Sequence, residues 1–195
     1  MKARFSLKGF LFIFTVIVFV VIIPLFLNSS IPNAKEKQKV SYTQEEFIKE
    51  IAPTTQTVAK YYSVRPSIII AQAVLESNYG TSLLSTKYHN LFAVKAQTGE
   101  SFIALENSVN SAGSWQVTVS KFTIYRSWKD SIYAYFDILK GGQIGGGEIY
   151  PLLVANNGYQ KPAQALQDAG FSTDPDYAKK IISIIETNNL TDYDS

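Results

Sequence analysis

Cysteine is absent from the 195 residues, histidine occurs once, and neither sign of charge dominates, with 18 Lys and Arg against 16 Asp and Glu. Without cysteine the chain is not a disulfide-stapled scaffold, a thiolate zinc site, an iron–sulfur protein or a cysteine-nucleophile enzyme. The solitary His89 argues against a histidine-rich metal site, and a Ser-His-Asp hydrolase would have to use it. A formal charge of +2 creates no polyelectrolyte field and gives a nucleic-acid partner no support. What is present fits one globular domain and an appendage.

The appendage is N-terminal. Phe10 to Leu27 reads FLFIFTVIVFVVIIPLFL, 18 residues without a charge. As a helix it would cover about 27 Å, close to the thickness of a bilayer core. Lys2, Arg4 and Lys8 precede it, so the positive-inside rule puts the N-terminus in the cytoplasm and everything after Leu27 outside. A single-pass anchor is expected, with secretion after cleavage of a signal peptide as the alternative. The expected division is residues 1–28 as cytoplasmic N-terminus and anchor, 29–40 as a polar linker containing KEKQK, and 41–195 as the outer domain.

Residues 40–195 carry 12 Lys and Arg against 15 Asp and Glu, a net charge of −3. All 12 Tyr lie beyond residue 40, whereas six of the 12 Phe lie in the first 26 residues. Tyr joins an apolar face to a hydroxyl and suits both sugar stacking and half-buried core positions.

Thr43 and Glu46 have capping-box spacing and open a helix through about Tyr62, with Phe47, Ile48, Ile51, Val58 and Tyr61 as its apolar set and Pro53 dividing or bending it. Pro66 starts a second helix, SIIIAQAVLES, apolar enough on all sides to be central and buried, with Gly80 as its left-handed stop. Residues 102–124 read as a β-hairpin: FIALE, a polar NSVNSAGS turn, and WQVTVSKFTI alternating at Val117, Val119 and Lys121. Ser127 and Asp130 form another capping box before a helix with Ile132, Tyr135, Phe136 and Leu139 on one face, ending at Gly141. GGQIGGG does not match a phosphate loop and is expected to be a mobile loop. Helices follow at Pro162–Ala169 and from Pro175 to about Asn188, the latter capped by Asp174 with Tyr177, Ile181 and Ile184 on one face. The class is α+β, mainly helical with one hairpin.

One carboxylate is out of keeping with its surroundings. Glu76 ends the apolar helix, where desolvation and the negative end of the helix dipole both oppose its ionisation. A raised pKa is what a general acid needs to protonate a glycosidic oxygen near neutral pH. A Glu at a helix end also reaches solvent or pairs with a Lys, so the position by itself leaves both roles open.

The blocks AQAVLESNYGTSLL, YHNLFAVKA, KFTIYRSWKDSI and AQALQDAGFSTDPDYAKKI resemble, in order and spacing, the bacterial peptidoglycan N-acetylglucosaminidases of glycoside hydrolase family 73, the flagellar and autolysin-type glucosaminidases. The resemblance covers residues 42 to 190. It implies a lysozyme-like fold with a hairpin flanking a substrate groove, and hydrolysis of the β-1,4 bond after N-acetylglucosamine in peptidoglycan glycan strands. It implies Glu76 as catalytic acid and a second acidic residue at the hairpin, best matched by Glu106, with Glu100 as the alternative. Glycoside hydrolysis needs a second group to activate water, attack the anomeric carbon or stabilise ring charge, a role the substrate's own acetamido group can also fill.

Two departures from the family pattern stand out. GFSTDP carries Phe171 where the family has a Tyr, leaving Tyr177 as a neighbour that could supply a hydroxyl. NLFAVK carries Ala93 where NLFG is usual, at a position that favours positive φ or close backbone approach. Asn90 and Phe92 belong to the family's groove-forming block, and Asn90 is a candidate for an acetamido group. Tyr79, Tyr88 and Tyr125 are candidate stacking platforms, and Tyr177 joins them as a candidate substrate contact. The expected enzyme is a monomer that needs no metal or cofactor, touching peptidoglycan through its groove and the membrane through its N-terminal helix. A muramidase or lytic transglycosylase of the same fold is the rival reading, and a non-catalytic wall-binding module the reading from another class.

Overall fold

The computed structural model describes residues 7–17, 30–142, 149–154 and 158–195. The chain forms two compact units, Met1–Ile31 and Pro32–Ser195. In the first, α1 (Leu7–Ile17) is an 11-residue helix with Phe10, Leu11, Phe12 and Phe14 exposed. Residues 18–27 of the expected span lie outside the described residues. Among the described residues no helix is long and apolar enough to cross a membrane.

The second unit opens with α2 (Gln44–Tyr62), which carries the expected capping box: Thr43 Oγ1 accepts from the Glu46 amide and Glu46 Oε2 accepts from the Thr43 amide. Pro53 lies inside this helix without dividing it. Phe47, Ile48, Ile51 and Val58 are buried, but Tyr61 is 78% exposed. Four residues beyond Val58 the stripe continues through Tyr62, whose ring packs on Phe136 at 5.3 Å, so Tyr61 turns outward.

Helix α3 (Pro66–Ser77) is the buried centre, with every residue from Ser67 to Val74 buried. Each fully buried Ile or Val contributes about 1.5–3 kcal/mol. Its N-terminus lacks a local cap. The Asp194 carboxylate fills that place, accepting from the Ser67 amide at 2.8 Å, Ser67 Oγ at 2.9 Å and Arg65 Nη1 at 3.0 Å. The helix stops at Asn78 rather than Gly80, and Asn78, Tyr79 and Gly80 are all left-handed (φ 52°, 54° and 71°). Gly80 is required there by close approach as well, since a Cβ would sit 2.5 Å from the Phe47 ring.

A short α4 (Leu83–Tyr88) leads to the hairpin of β1 (Phe102–Ser111) and β2 (Ser114–Thr123), paired antiparallel in register from Phe102–Thr123 to Ser111–Ser114. Its turn is only Ala112–Gly113, both at positive φ, so the polar NSVNS expected in the turn belongs to β1. The hairpin buries its other face. Leu105 and Phe122 pack with Ala34 and Leu84, while Val117 and Val119 are exposed.

Helix α5 (Trp128–Lys140) buries Ile132, Tyr135, Phe136 and Leu139 as expected. Ser127 Oγ caps the Asp130 amide, but the Asp130 carboxylate pairs with Arg126 instead of closing the box. The expected loop from Gln143 to Gly147 lies outside the described residues. Helices α6 (Ile149–Val154), α7 (Gln160–Asp168) and α8 (Tyr177–Thr187) and a 3-10 turn (Leu190–Asp194) complete the helical body. Within α8, Tyr177 and Ile181 are buried and Ile184 half-buried, with Ile185 in the core beside it. The result is α+β with eight α-helices and one hairpin among the described residues.

Residues 29–40 were expected to be a linker, yet from Pro32 onward they are part of the folded unit. The Ala34 amide donates to Glu106 O at 2.7 Å and the Glu106 amide to Pro32 O at 3.0 Å. Leu83 and Leu84 amides donate to Glu36 O and Ala34 O, and the Gln38 amide to Thr81 O. Ala34, 2% exposed, is the only apolar side chain between Pro32 and Val40, and its burial anchors a segment whose other side chains are polar.

Candidate active site

A groove of about 420 Å³ runs between the hairpin and the helical body. Glu76, in the last turn of α3, lies at its floor. Asn107, Ser108 and Val109 of β1 form one wall, and Phe171, Ser172 and Thr173 ahead of α8 face them. One hydrogen bond crosses from wall to wall, from the Asn110 amide to Thr173 Oγ1 at 3.0 Å.

The Glu76 side chain is 11% exposed. Burial pushes its carboxyl above the ordinary value; Lys35, with Nζ 3.5 Å from Oε2, and the Tyr177 hydroxyl act against that rise, and the charge of Asp174 adds to it. The last turn of α3 opposes ionisation further through the negative end of the helix dipole. Behind Glu76, Gln72 Nε2 donates to the Tyr177 hydroxyl at 3.4 Å, and Tyr135 stacks on Phe92 with ring centres 3.9 Å apart. Burial, and after it the charge of Glu76, pushes the Tyr135 and Tyr177 hydroxyls well above their ordinary value. Both therefore stay protonated at any working pH and can only donate to, or accept around, the carboxyl. Asp174 is held below its ordinary value: burial pushes it up, but the Lys180 ammonium and the Asp176 amide outweigh that.

The other candidate residues divide. Glu100 lines the groove, its Oε2 accepting from the Gln97 amide at 2.9 Å and Thr123 Oγ1 at 3.1 Å. Glu106 is not among the described residues that line it. It is half-buried on β1 opposite Val119, with its backbone bonded to Pro32 and Ala34 of the preceding segment. Phe92 lines the groove. Asn90 is 1% exposed and its amide is engaged three times, donating to Val94 O and Thr123 O and accepting from the Val94 amide. It holds the turn that carries Phe92 and Ala93.

The candidate tyrosines lie at several places in the fold. Tyr79 packs on the main core and its hydroxyl accepts from Asn188 Nδ2. Tyr88 packs on the small cluster under the hairpin, and Tyr125 on the main core, where burial pushes its hydroxyl to about 12. None of the three lines the groove among the described residues. Tyr177 is 1% exposed, beneath Glu76 rather than on the groove surface, with Phe171 tilted over it at 5.3 Å. His89 caps α4 and its Nδ1 lies 3.1 Å from Tyr125 O. Ala93 lines the groove at φ 52°, the left-handed value for which a Gly is usual.

Sequence reasoning missed Lys35, Gln72 and Tyr135. Gln72 and Tyr135 were detectable as the polar members of otherwise apolar helix faces. Lys35 gave no signal, because a cation within KEKQK reads as a solvated face.

Residues 52–190 match the glucosaminidase family, described as mannosyl-glycoprotein endo-beta-N-acetylglucosaminidase. Over 195 residues the chain is 33% identical to the exo-glucosaminidase LytG of Bacillus subtilis (strain 168), covering 100% of this chain and 68% of that protein. Over 159 residues it is 32% identical to a probable N-acetylmuramidase of Lactococcus lactis subsp. cremoris, covering 80% of this chain and 36% of the relative. The crystal structure of an N-acetylmuramoyl-L-alanine amidase from Staphylococcus aureus superposes with a TM-score of 0.73 at 30% identity, over 80% of this chain and 45% of that one. That likeness agrees with the lysozyme-like fold expected from the sequence.

Proposed function

The chain belongs to the glucosaminidase family of glycosidases, and from that membership we propose that it hydrolyses the β-1,4 bond following N-acetylglucosamine in peptidoglycan glycan strands, with Glu76 as general acid. The observation that supports the reading is a carboxyl lining the groove, pushed above its ordinary value by burial and backed by hydroxyls that remain neutral. The proton passes from Glu76 to the glycosidic oxygen as the bond from that oxygen to the anomeric carbon breaks, releasing the next sugar's 4-hydroxyl. Water adds its hydroxide to the anomeric carbon, and its remaining proton restores Glu76. Glu100, held by two donors in the groove, is the carboxylate available to stabilise positive charge on the ring.

A muramidase reading is favoured by one specific observation, the name of the Lactococcus relative. The two differ in the sugar that carries the new reducing end. Purified cell wall digested by the protein, reduced with borohydride and weighed by mass spectrometry should yield fragments ending in reduced N-acetylglucosamine. Fragments ending in muramic acid or 1,6-anhydromuramic acid would overturn the proposal. In the same digestion Glu100→Gln should be slower by about 10-fold or more, and Glu106→Gln should retain most of the activity.

The flank of Lys2, Arg4 and Lys8 and the apolar run Phe10–Leu27 support a place outside the cytoplasmic membrane. If the run stays, the enzyme is recovered with membranes at full length. If it is cut, the enzyme is recovered from the medium with a new N-terminus.

A further inference from the structure

We propose that Lys35 is a positioning residue for Glu76, setting how readily the acid releases its proton; this rests on Glu76 being the general acid. Lys35 precedes the family-matched residues 52–190 and sits on a strap bonded to two elements of the fold. Backbone bonds tie the strap to β1 through Ala34 and Glu106 and to the start of α4 through Glu36 and Leu83. Asn33 Oδ1 accepts from the Lys35 amide at 2.9 Å, and Ala34 is wedged under the hairpin. The strap therefore delivers the base of the Lys35 side chain to the groove, while the side chain itself, 61% exposed, leans onto Glu76.

The surroundings of Glu76 leave this role to Lys35. From α8 and the loop before it come the Tyr177 hydroxyl and Asp174, whose charge is engaged by Lys180. From α5 comes the Tyr135 hydroxyl, and from α3 itself Gln72. Lys95 and Glu100 line the same groove. Among the described residues Lys35 is the one cation paired with Glu76. As the proton leaves for the glycosidic oxygen, negative charge appears on a carboxylate that burial disfavours, and the ammonium stands where that charge develops. Without Lys35, Glu76 holds its proton more tightly and is the weaker acid.

The sign of the effect separates this role from a structural one. A general acid works while protonated, so activity falls as pH rises through its pKa, giving the basic limb of the profile. Removing the cation raises that pKa, moving the limb to higher pH, and at the same time weakens the acid, lowering the rate on the plateau below it. Full-length wild type, Lys35→Met, Lys35→Arg and Glu76→Gln are compared by the pH dependence of kcat/KM on purified peptidoglycan. Lys35→Met is expected to show the higher limb and a plateau reduced roughly two- to five-fold, with unchanged thermal melting, and Lys35→Arg to restore the wild-type limb. An unmoved limb in Lys35→Met, or one displaced to lower pH, overturns the inference whatever happens to the rate. Full activity in Glu76→Gln would instead overturn the reading on which it rests.

Discussion

Ala93 shows at the scale of a single residue what a groove position costs the fold. A Cβ at φ 52° is crowded by its own backbone, and the turn holds it there through the Asn90 side-chain amide, which donates two hydrogen bonds and accepts one. Ala93→Gly should therefore stabilise the protein by about 1 kcal/mol, read as a higher melting temperature. A lower one would show that the methyl group is needed in the groove. Glu76 is the reverse case, a residue whose discomfort was readable from sequence because a carboxylate ending an apolar helix stands alone among its neighbours. The second carboxylate was not readable in that way. Choosing between Glu100 and Glu106 depends on where the turn before β1 ends and the strand begins, since Glu100 lies in that turn and Glu106 within β1, and the sequence period does not fix that boundary.

At the scale of elements, α3 carries Glu76 at one end and depends on the far C-terminus at the other. Asp194 supplies the negative charge and acceptor oxygens that the first turn of α3 lacks, and also engages Arg65. Asp194→Ala should lower stability by about 2 kcal/mol in denaturant melts. Chemistry at low temperature should be retained, because the groove end of the helix is untouched; unchanged stability would mean that water caps α3 equally well. The capping box of α2, the buried α3 and the apolar face of α5 were all legible, since caps and a 3.6-residue period are local signals. The turn of the hairpin was not. Its strand ends are polar and exposed, so NSVNS looks like a loop until it is paired with SWQVT across Ala112–Gly113. Asp194 was equally hidden, because the contact joins residues 127 apart.

On the scale of the whole molecule, the folded unit is a helical body and a small hairpin lobe with the groove between them, stitched at one end by the strap from Pro32 to Gln38. The sequence showed the two lobes and the resemblance showed their order. The strap was lost in a run of lysines, for its attachment is made by backbone groups and one buried alanine, neither of which leaves a mark in composition. Everything in this arrangement converges on Glu76: α3 carries it, Tyr177 and Gln72 lie beneath it, Lys35 meets it from the strap, and the hairpin wall faces it. The most direct test is the rate of peptidoglycan solubilisation by wild type and by Glu76→Gln, the latter first shown by circular dichroism to be folded. The account predicts a loss of about 100-fold or more with glycan binding retained; a Glu76→Gln protein that solubilises cell wall at the wild-type rate would contradict it.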